Sequence, residues 1–172
     1  FGGDLDYGNI KAYLMSKGFQ KIKDEDNYDQ KFPRGKLGVQ DGFMFNQFIK
    51  EIDELQEPFF TNLFTLSSHS PYDYPGGQPI DWGDDERMYL NSVAYTDSCL
   101  GDFFEKVKNK AWFDNTLFVV IADHSQVSPK KCRVCSRYKA HVPFLLFGNV
   151  LKEEFRGRKI SKIGNHLDLP ST

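Results

Sequence analysis

Residues 117–124 have the sequence LFVVIADH, and this stretch decides the fold class. Six apolar residues follow a polar Asp-Asn-Thr turn, a pattern typical of a strand buried on both faces of a parallel sheet. The strand ends in two ionisable residues, Asp123 and His124. In open α/β sheets ligands bind outside the carboxyl ends of the strands, so the pair is a candidate divalent-metal site. The same pair could instead cap a helix and hydrogen-bond a loop backbone.

The composition is that of one α/β domain. The 172 residues are 40% apolar and 15% aromatic, which is enough for one core. The net charge is -2 and the charges are interspersed, so nucleic acid is not an expected partner. No apolar run approaches the roughly 20 residues of a membrane span, and the first residues do not resemble a signal peptide. We therefore expect a soluble segment that forms a single partial domain over residues 1–172, because neither end resembles a natural terminus.

Helical and extended patterns alternate around the central stretch. Helices are predicted over residues 6–17, 41–52 and 84–110, with Asp41 as an N-cap, and strands over 19–22, 59–66, 142–148 and 160–163. The extended run 59–66 ends in Ser-Ser-His-Ser-Pro, which places His69 at a second strand end. The loop 71–82 is rich in Pro, Gly, Tyr and Asp and is predicted to be ordered. Its aromatic residues could border a substrate cleft or pack against the neighbouring helix.

Five motifs resemble, in their order, the sulfatase-like domain of lipoteichoic acid synthase and the related phosphoglycerol transferases of the alkaline phosphatase superfamily. They are residues 60–72 with SHSPY at 68–72, NSVAYTD with LGDFF within 91–104, DNTLFVVIADH at 114–124, VPF at 142–144 and DLPST at 168–172. The resemblance covers nearly the whole chain but only the later part of the family domain.

The resemblance implies a three-layer αβα fold with a mostly parallel central sheet, on the outer side of a bacterial membrane and tethered by an N-terminal membrane region absent here. It implies one divalent metal, with manganese expected and magnesium or zinc as alternatives. An upstream Glu, a Thr nucleophile and an Asp-His pair that matches Asp123 and His124 hold the metal. A further histidine, matching His69, contacts the substrate phosphate.

The family's nucleophile has no counterpart in this chain. The threonines Thr61, Thr65, Thr96 and Thr116 lie within strand or helix patterns or at the start of a strand. The family's Thr and Glu precede the point where this chain begins. We therefore expect the fragment to bind metal weakly and to be inactive.

Two positions weaken the resemblance to a glycerol phosphate polymerase. Where lipoteichoic acid synthase carries a Trp and an Arg that grip glycerol phosphate, this chain has Gly8 and Ile10. These positions therefore leave the substrate undecided between a phospholipid-derived ester and another phospho- or sulfo-ester. Arg34 or Arg87 could supply an anion contact, or each could be a solvated surface residue.

The cysteines Cys132 and Cys135 have the x2 spacing of a disulfide, a zinc half-site or a pair of free thiols. An extracytoplasmic location, as the resemblance implies, favours a disulfide over zinc. Cys99 lies on the apolar side of the long predicted helix and is expected in the core.

Two functional hypotheses follow. The first is part of a metal-dependent phosphotransferase or hydrolase of the sulfatase type. The second is a non-catalytic module that keeps the fold and an anion-binding cleft for recognition only. The residues upstream of Phe1 discriminate between them, because the enzyme needs a Thr or Ser at a strand-to-helix turn and a Glu ligand before it.

Overall fold

The structure is a computed structural model that describes residues 1–126 and 140–171. These residues form two compact units, one from Phe1 to Asn109 and the other from Lys110 onward. Among the described residues, no helix is both long enough and apolar enough to cross a membrane.

The first unit is built around two packed helices. Its helices are α1 (Ile10–Ser16), α2 (Asp41–Asp53) and α3 (Arg87–Val107), with single turns of 3-10 helix at Tyr7–Asn9, Glu25–Asn27 and Asp84–Glu86. Apolar residues recur at helical spacing in α2 and α3, so each helix presents one apolar face. These faces meet at Phe103, whose ring lies 5.5 Å from that of Phe45 and 6.2 Å from that of Phe48. The predicted positions of both helices are confirmed.

A short hairpin packs beside α2. Strands β1 (Arg34–Gly35) and β2 (Gly38–Val39) pair antiparallel. The Val39 N–H donates to the carbonyl oxygen of Gly2 at 2.7 Å, so the first residues of the chain run close to β2. Gly38 has φ 138°, and a Cβ there would lie 2.1 Å from the Gly2 oxygen. Only glycine fits this close approach.

The second unit contains an antiparallel pair of strands, β3 (Phe118–Ile121) and β4 (Phe144–Phe147). Phe118 lies opposite Phe147 and Ile121 lies opposite Phe144. Single 3-10 turns occur at Phe113–Asn115 and Glu153–Phe155, and a longer one at His166–Ser171. The strand predictions over 117–122 and 142–148 are therefore confirmed in position.

The other strand predictions differ from the structure. Residues 19–22, 59–66 and 160–163 contain no strand, because a strand needs a partner and none of the described residues pairs with them. At the end of the run 59–66, the N–H groups of Leu66 and Ser67 donate to the carboxylate of Asp41 instead. Nor is β3 buried on both faces: Val119 is 50% exposed, and the observed pairing of β3 is antiparallel.

Candidate active site

Asp123 and His124 lie directly after β3, and both side chains are exposed. The Asp123 Oδ1 accepts a hydrogen bond from the backbone N–H of His124 at 2.8 Å, which orients the carboxylate. The second carboxylate oxygen, Oδ2, is 3.4 Å from the His124 Nε2. One oxygen and one ring nitrogen therefore face each other at the end of the strand.

The other ring nitrogen fixes the orientation of His124. Its Nδ1 is 3.0 Å from the carbonyl oxygen of Ser125. Because a carbonyl only accepts hydrogen bonds, Nδ1 carries a proton, and in the neutral ring Nε2 then holds a lone pair. A lone pair that faces the carboxylate of Asp123 is favourable only when positive charge lies between them. That charge is either a proton on Nε2 or a metal cation.

The pair fits two ligands of a divalent cation. Two ligands at about 2.1 Å from a tetrahedral metal lie about 3.4 Å apart, which matches the 3.4 Å between Oδ2 and Nε2. A metal-binding histidine commonly donates its second N–H to a backbone carbonyl, as His124 does. Within residues 1–126 and 140–171, however, no three His, Cys, Asp or Glu side chains group closely enough to hold a metal. The pair therefore offers two potential metal ligands, and the described residues group no third one with it.

A third histidine lies beside this pair and was missed as a site residue. His166 is exposed, and its Nε2 donates to the carbonyl oxygen of Ala122 at 2.9 Å. Ala122 directly precedes Asp123, so His166 ties the end of β3 to the turn His166–Ser171. In that turn, Asp168 Oδ2 accepts a hydrogen bond from the Asn165 N–H at 2.8 Å. The 44-residue separation of His166 from Ala122 left no local signal in the sequence.

His69, in the first unit, is exposed within a tight turn. Its backbone N–H donates to Leu66 at 2.9 Å, and its carbonyl oxygen accepts from the Tyr72 N–H at 2.8 Å. The ring Nδ1 is 2.7 Å from the carbonyl oxygen of Ser70, so Nδ1 again carries the proton. The ring lines a small pocket together with residues 35–40 of the β hairpin, and Nε2 is the ring nitrogen left for a ligand.

A buried carboxylate holds the segment that leads to His69. Asp41 is 1% exposed and accepts hydrogen bonds from the Leu66 N–H at 2.8 Å, the Ser67 N–H at 3.2 Å and the Thr96 hydroxyl at 2.7 Å. Its own N–H donates to Ser67 Oγ at 3.1 Å. Asp41 was predicted as an N-cap, but Gln40 occupies that position and the Asp41 side chain makes no capping bond. It instead joins α2, α3 and the turn at His69.

The helix pair carries a second, partly buried polar contact nearby. The Gly42 N–H donates to the Tyr95 hydroxyl at 3.1 Å. Burial raises the pKa of Tyr95 well above its usual range and also raises the pKa of the Cys99 thiol. Cys99 is buried in the core, as predicted. Its thiol is therefore held protonated and unreactive at neutral pH.

Several residues considered as candidate site residues form contacts within the protein instead. Thr96 donates to Asp41, and the Thr116 hydroxyl donates to the Trp112 carbonyl oxygen at 2.6 Å. Arg34 is neither solvated nor free for a substrate, because its guanidinium binds the carboxylate of Glu25 at 3.2 Å and two backbone carbonyls. Arg87 is exposed.

The cysteines Cys132 and Cys135, predicted to form a disulfide or to bind zinc, lie outside the described residues.

Comparison with protein families and curated proteins identifies the relatives of this chain. The sulfatase family model matches residues 6–172. Lipoteichoic acid synthase 2 of Bacillus subtilis (strain 168) is 28% identical over 136 residues, which cover 74% of this chain and 20% of that protein. Lipoteichoic acid synthase of Staphylococcus aureus (strain NCTC 8325 / PS 47) is 24% identical over 146 residues, which cover 74% of this chain and 22% of that protein. The chain thus spans about a fifth of the length of these relatives.

Two solved structures are similar to the chain. A protein in the alkaline phosphatase superfamily from Vibrio parahaemolyticus has a TM-score of 0.73 and 32% identity, and the match covers 88% of this chain and 38% of that one. The lipoteichoic acid synthase LtaP from Listeria monocytogenes has a TM-score of 0.75 and 22% identity, with coverage of 88% and 43%. Both neighbours are consistent with the predicted α/β class. Because the sulfatase family model matches nearly the whole length of the chain, the chain belongs to the sulfatase family.

Proposed function

We propose that this chain is part of a metal-dependent phosphotransferase or hydrolase in which Asp123 and His124 bind one divalent cation. The observation that carries the proposal is the 3.4 Å approach of Asp123 Oδ2 to His124 Nε2, with His124 Nδ1 committed to a backbone carbonyl. The family resemblance implies manganese, with magnesium or zinc as alternatives, whereas the 3.4 Å spacing by itself matches the tetrahedral geometry of zinc. The remaining ligands and a Thr or Ser nucleophile would come from residues outside the printed sequence.

The bound cation would stabilise the alkoxide of the nucleophile and polarise the phosphoryl oxygens. Within this chain, Asp123 would bring negative charge to the site and His124 a neutral nitrogen. His166 would hold the backbone of Ala122, so that Asp123 leaves the strand in a fixed direction.

His69 would contact the phosphate of the substrate. With Nδ1–H donated to Ser70, the neutral ring offers only a lone pair at Nε2, which a phosphate oxygen repels. The protonated ring offers Nε2–H, a charge-assisted donor to a non-bridging oxygen. His69 would therefore act as the imidazolium, whereas His124 would act as the neutral ring.

Phospho-esters are the substrate class that we favour over sulfo-esters. Both relatives described above are named lipoteichoic acid synthases, which favours phosphoglycerol transfer from a phospholipid-derived donor. We also place the complete protein in a bacterial cell membrane, anchored by a region outside these residues, with this domain extracytoplasmic.

We further propose that both units belong to one sulfatase-like domain with a three-layer αβα fold and a mostly parallel sheet, in which β3 and β4 lie. The exposure of Val119 at 50% and Leu145 at 53% supports this assignment. Apolar strand residues with so much exposed surface are typical of a sheet that further strands or helices cover.

The test is substrate turnover by the full-length protein with manganese. Fluorescent phosphatidylglycerol, p-nitrophenyl phosphate and p-nitrophenyl sulfate would be offered in parallel. We expect turnover of the phospholipid and a loss of at least about 100-fold in kcat/KM for Asp123→Asn. The matched control is Asp114→Asn, because Asp114 lies at the opposite end of β3 and its carboxylate accepts a hydrogen bond from the Asn149 amide.

Retained turnover in Asp123→Asn would refute the metal role of this pair. Absence of turnover by the wild-type protein on all three esters, together with phosphate binding, would favour the non-catalytic anion-binding module over the enzyme.

A further inference from the structure

His69 is exposed, yet three hydrogen bonds fix its orientation. Its backbone N–H donates to the Leu66 carbonyl oxygen at 2.9 Å, and its carbonyl oxygen accepts from the Tyr72 N–H at 2.8 Å. The ring Nδ1 lies 2.7 Å from the Ser70 carbonyl oxygen. The backbone and one ring nitrogen are thus committed to the turn, and the direction of Nε2 depends on where that turn is held.

Leu66 connects the backbone of His69 to a buried carboxylate. The Leu66 N–H donates to Asp41 Oδ1 at 2.8 Å, while the Leu66 carbonyl oxygen accepts from His69. The next residue is bound in both directions. The Ser67 N–H donates to both carboxylate oxygens of Asp41 at 3.2 Å, and Ser67 Oγ accepts from the Asp41 N–H at 3.1 Å. Since hydrogen bonds to an ionised oxygen are about twice as strong as neutral ones, the backbone just before His69 is firmly held.

Thr96 of α3 fixes the carboxylate itself. Its hydroxyl donates to Asp41 Oδ2 at 2.7 Å, so each carboxylate oxygen accepts two hydrogen bonds. Because all of these partners are donors, the carboxyl group of Asp41 is ionised. Asp41 is 1% exposed and Ser67 is 6% exposed, so water does not replace a lost donor. A buried carboxylate without its donors is strongly disfavoured, and this penalty keeps Leu66 and Ser67 in one position.

Asp41 and Thr96 reach the pocket of His69 only through the backbone of residues 66 and 67. The residues that line this pocket include Leu66 and Ser67 but neither Asp41 nor Thr96. Both carboxylate oxygens are also occupied by donors from the protein. A direct contact of Asp41 with a ligand is therefore excluded, and any effect on the pocket acts through His69 and its turn.

We propose that Asp41 and Thr96 are positioning residues for the phosphate contact of His69. Thr96 holds the Asp41 carboxylate, the carboxylate holds residues 66 and 67, and these set the direction in which His69 presents Nε2–H to a phosphate oxygen. The inference rests on the proposed function for the role of His69. A binding group that is already ordered binds more tightly, because its ordering does not oppose binding. Loosening the turn should therefore weaken phosphate binding, although neither residue touches the phosphate.

The test measures the affinity of the full-length protein for inorganic phosphate by phosphorus-31 NMR. The titration is made in saturating magnesium and at about pH 6, where a histidine with the usual pKa is mostly protonated. We expect Thr96→Val to raise the Kd for phosphate by about three- to tenfold. Thr96→Ser keeps the hydroxyl and should bind phosphate like the wild type.

The matched control is Thr116→Val. It also removes one hydrogen bond of a threonine hydroxyl, that to the Trp112 carbonyl oxygen at 2.6 Å, but it leaves the turn at His69 intact. Its Kd should equal that of the wild type. If Thr96→Val does not fold, Ser67→Ala takes its place, because it removes the hydrogen bond from the Asp41 N–H and should raise the Kd in the same way.

A second background separates positioning from a general loss of structure. If Thr96 acts through His69, Thr96→Val should not change the Kd further in a His69→Ala protein. An increase of the same size in both backgrounds would overturn the proposal, as would wild-type affinity in Thr96→Val and Ser67→Ala. If His69→Ala alone binds phosphate as tightly as the wild type, the role of His69 in the proposed function is wrong, and this inference is refuted with it.

Discussion

Two histidines of this chain have the same local geometry and, in our account, opposite protonation states. His69 and His124 each direct Nδ1 at the carbonyl oxygen of the next residue, which leaves Nε2 for a ligand. Only His124 has a carboxylate oxygen, 3.4 Å away, facing its Nε2. In our account, the group that faces Nε2 decides whether the ring acts as a neutral metal ligand or as an imidazolium. A sequence shows the histidine but not the direction of its Nε2.

The proposed role of His69 predicts a difference between two amide substitutions. A Gln amide nitrogen replaces Nε2, whereas an Asn amide nitrogen replaces Nδ1. We expect His69→Gln to keep more phosphoryl-transfer activity than His69→Asn, by about tenfold in kcat/KM. Steady-state kinetics on the full-length protein measure this ratio. Equal activities of the two variants would contradict a phosphate contact through Nε2.

The buried Asp41 carboxylate predicts a large loss of stability. The variant Asp41→Asn turns one acceptor oxygen into a donor that faces other donors. We expect it to lower the free energy of unfolding by about 2–4 kcal/mol. Urea denaturation followed by circular dichroism measures this change. The exposed Asp97 on α3 provides the control, because Asp97→Asn should stay within about 0.5 kcal/mol of the wild type. A small effect of Asp41→Asn would show that the bonds to Leu66, Ser67 and Thr96 contribute little.

At the scale of elements, helices were predictable and most strands were not. The apolar spacing of α2 and α3 is a local pattern, so the sequence was sufficient to place both. A strand is defined by a distant partner, and the apolar run 59–66 has none among the described residues. Its terminal N–H groups bind Asp41, a side-chain contact across 25 residues that no periodicity reveals.

The contact between α2 and the segment at 21–23 predicts a pH-dependent stability. Glu51 forms ion pairs with Lys21 and Lys23. Burial acts to raise the pKa of Glu51, but the two lysines outweigh it and hold that pKa below its usual value. Stability from this site is therefore present at neutral pH and is lost as the pH falls through the lowered pKa.

The variant Glu51→Gln should accordingly be less stable than the wild type by about 0.5–1 kcal/mol at pH 7. The difference should shrink as the pH falls below about 4. Thermal unfolding from pH 3 to pH 7 measures it, with Glu54→Gln as the exposed control on the same helix end. A difference that does not change with pH would argue against the ion pairs as its source.

The anchor between α3 and the loop 71–82 predicts a local change in dynamics. Asn91→Ala removes both hydrogen bonds to Ile80. We expect the Ile80 amide to exchange its hydrogen at least about tenfold faster, while amides in the middle of α2 are unchanged. Hydrogen exchange detected by mass spectrometry resolves the two peptides. Equal protection of the loop in the variant would show that Asn91 does not hold it.

At the scale of the whole molecule, family membership was more predictable than architecture. Short motifs such as the Asp-His pair at 123–124 follow one another in a family order, and the family match over residues 6–172 confirms that inference. The strand pairing was less predictable from the sequence, because β3 pairs antiparallel with β4 where a parallel neighbour was expected. The position of His166 beside Ala122 was also beyond sequence reasoning, because it depends on how distant segments fold together.

The central claim is that Asp123 and His124 together bind a divalent cation, and manganese titration calorimetry on the full-length protein tests it most directly. We predict one manganese ion per chain for the wild type and for Asp114→Asn, and at least about 100-fold weaker binding for Asp123→Asn. Equal manganese affinity in all three proteins would contradict the account, because the Asp123–His124 pair would then be an imidazolium–carboxylate contact that binds no metal.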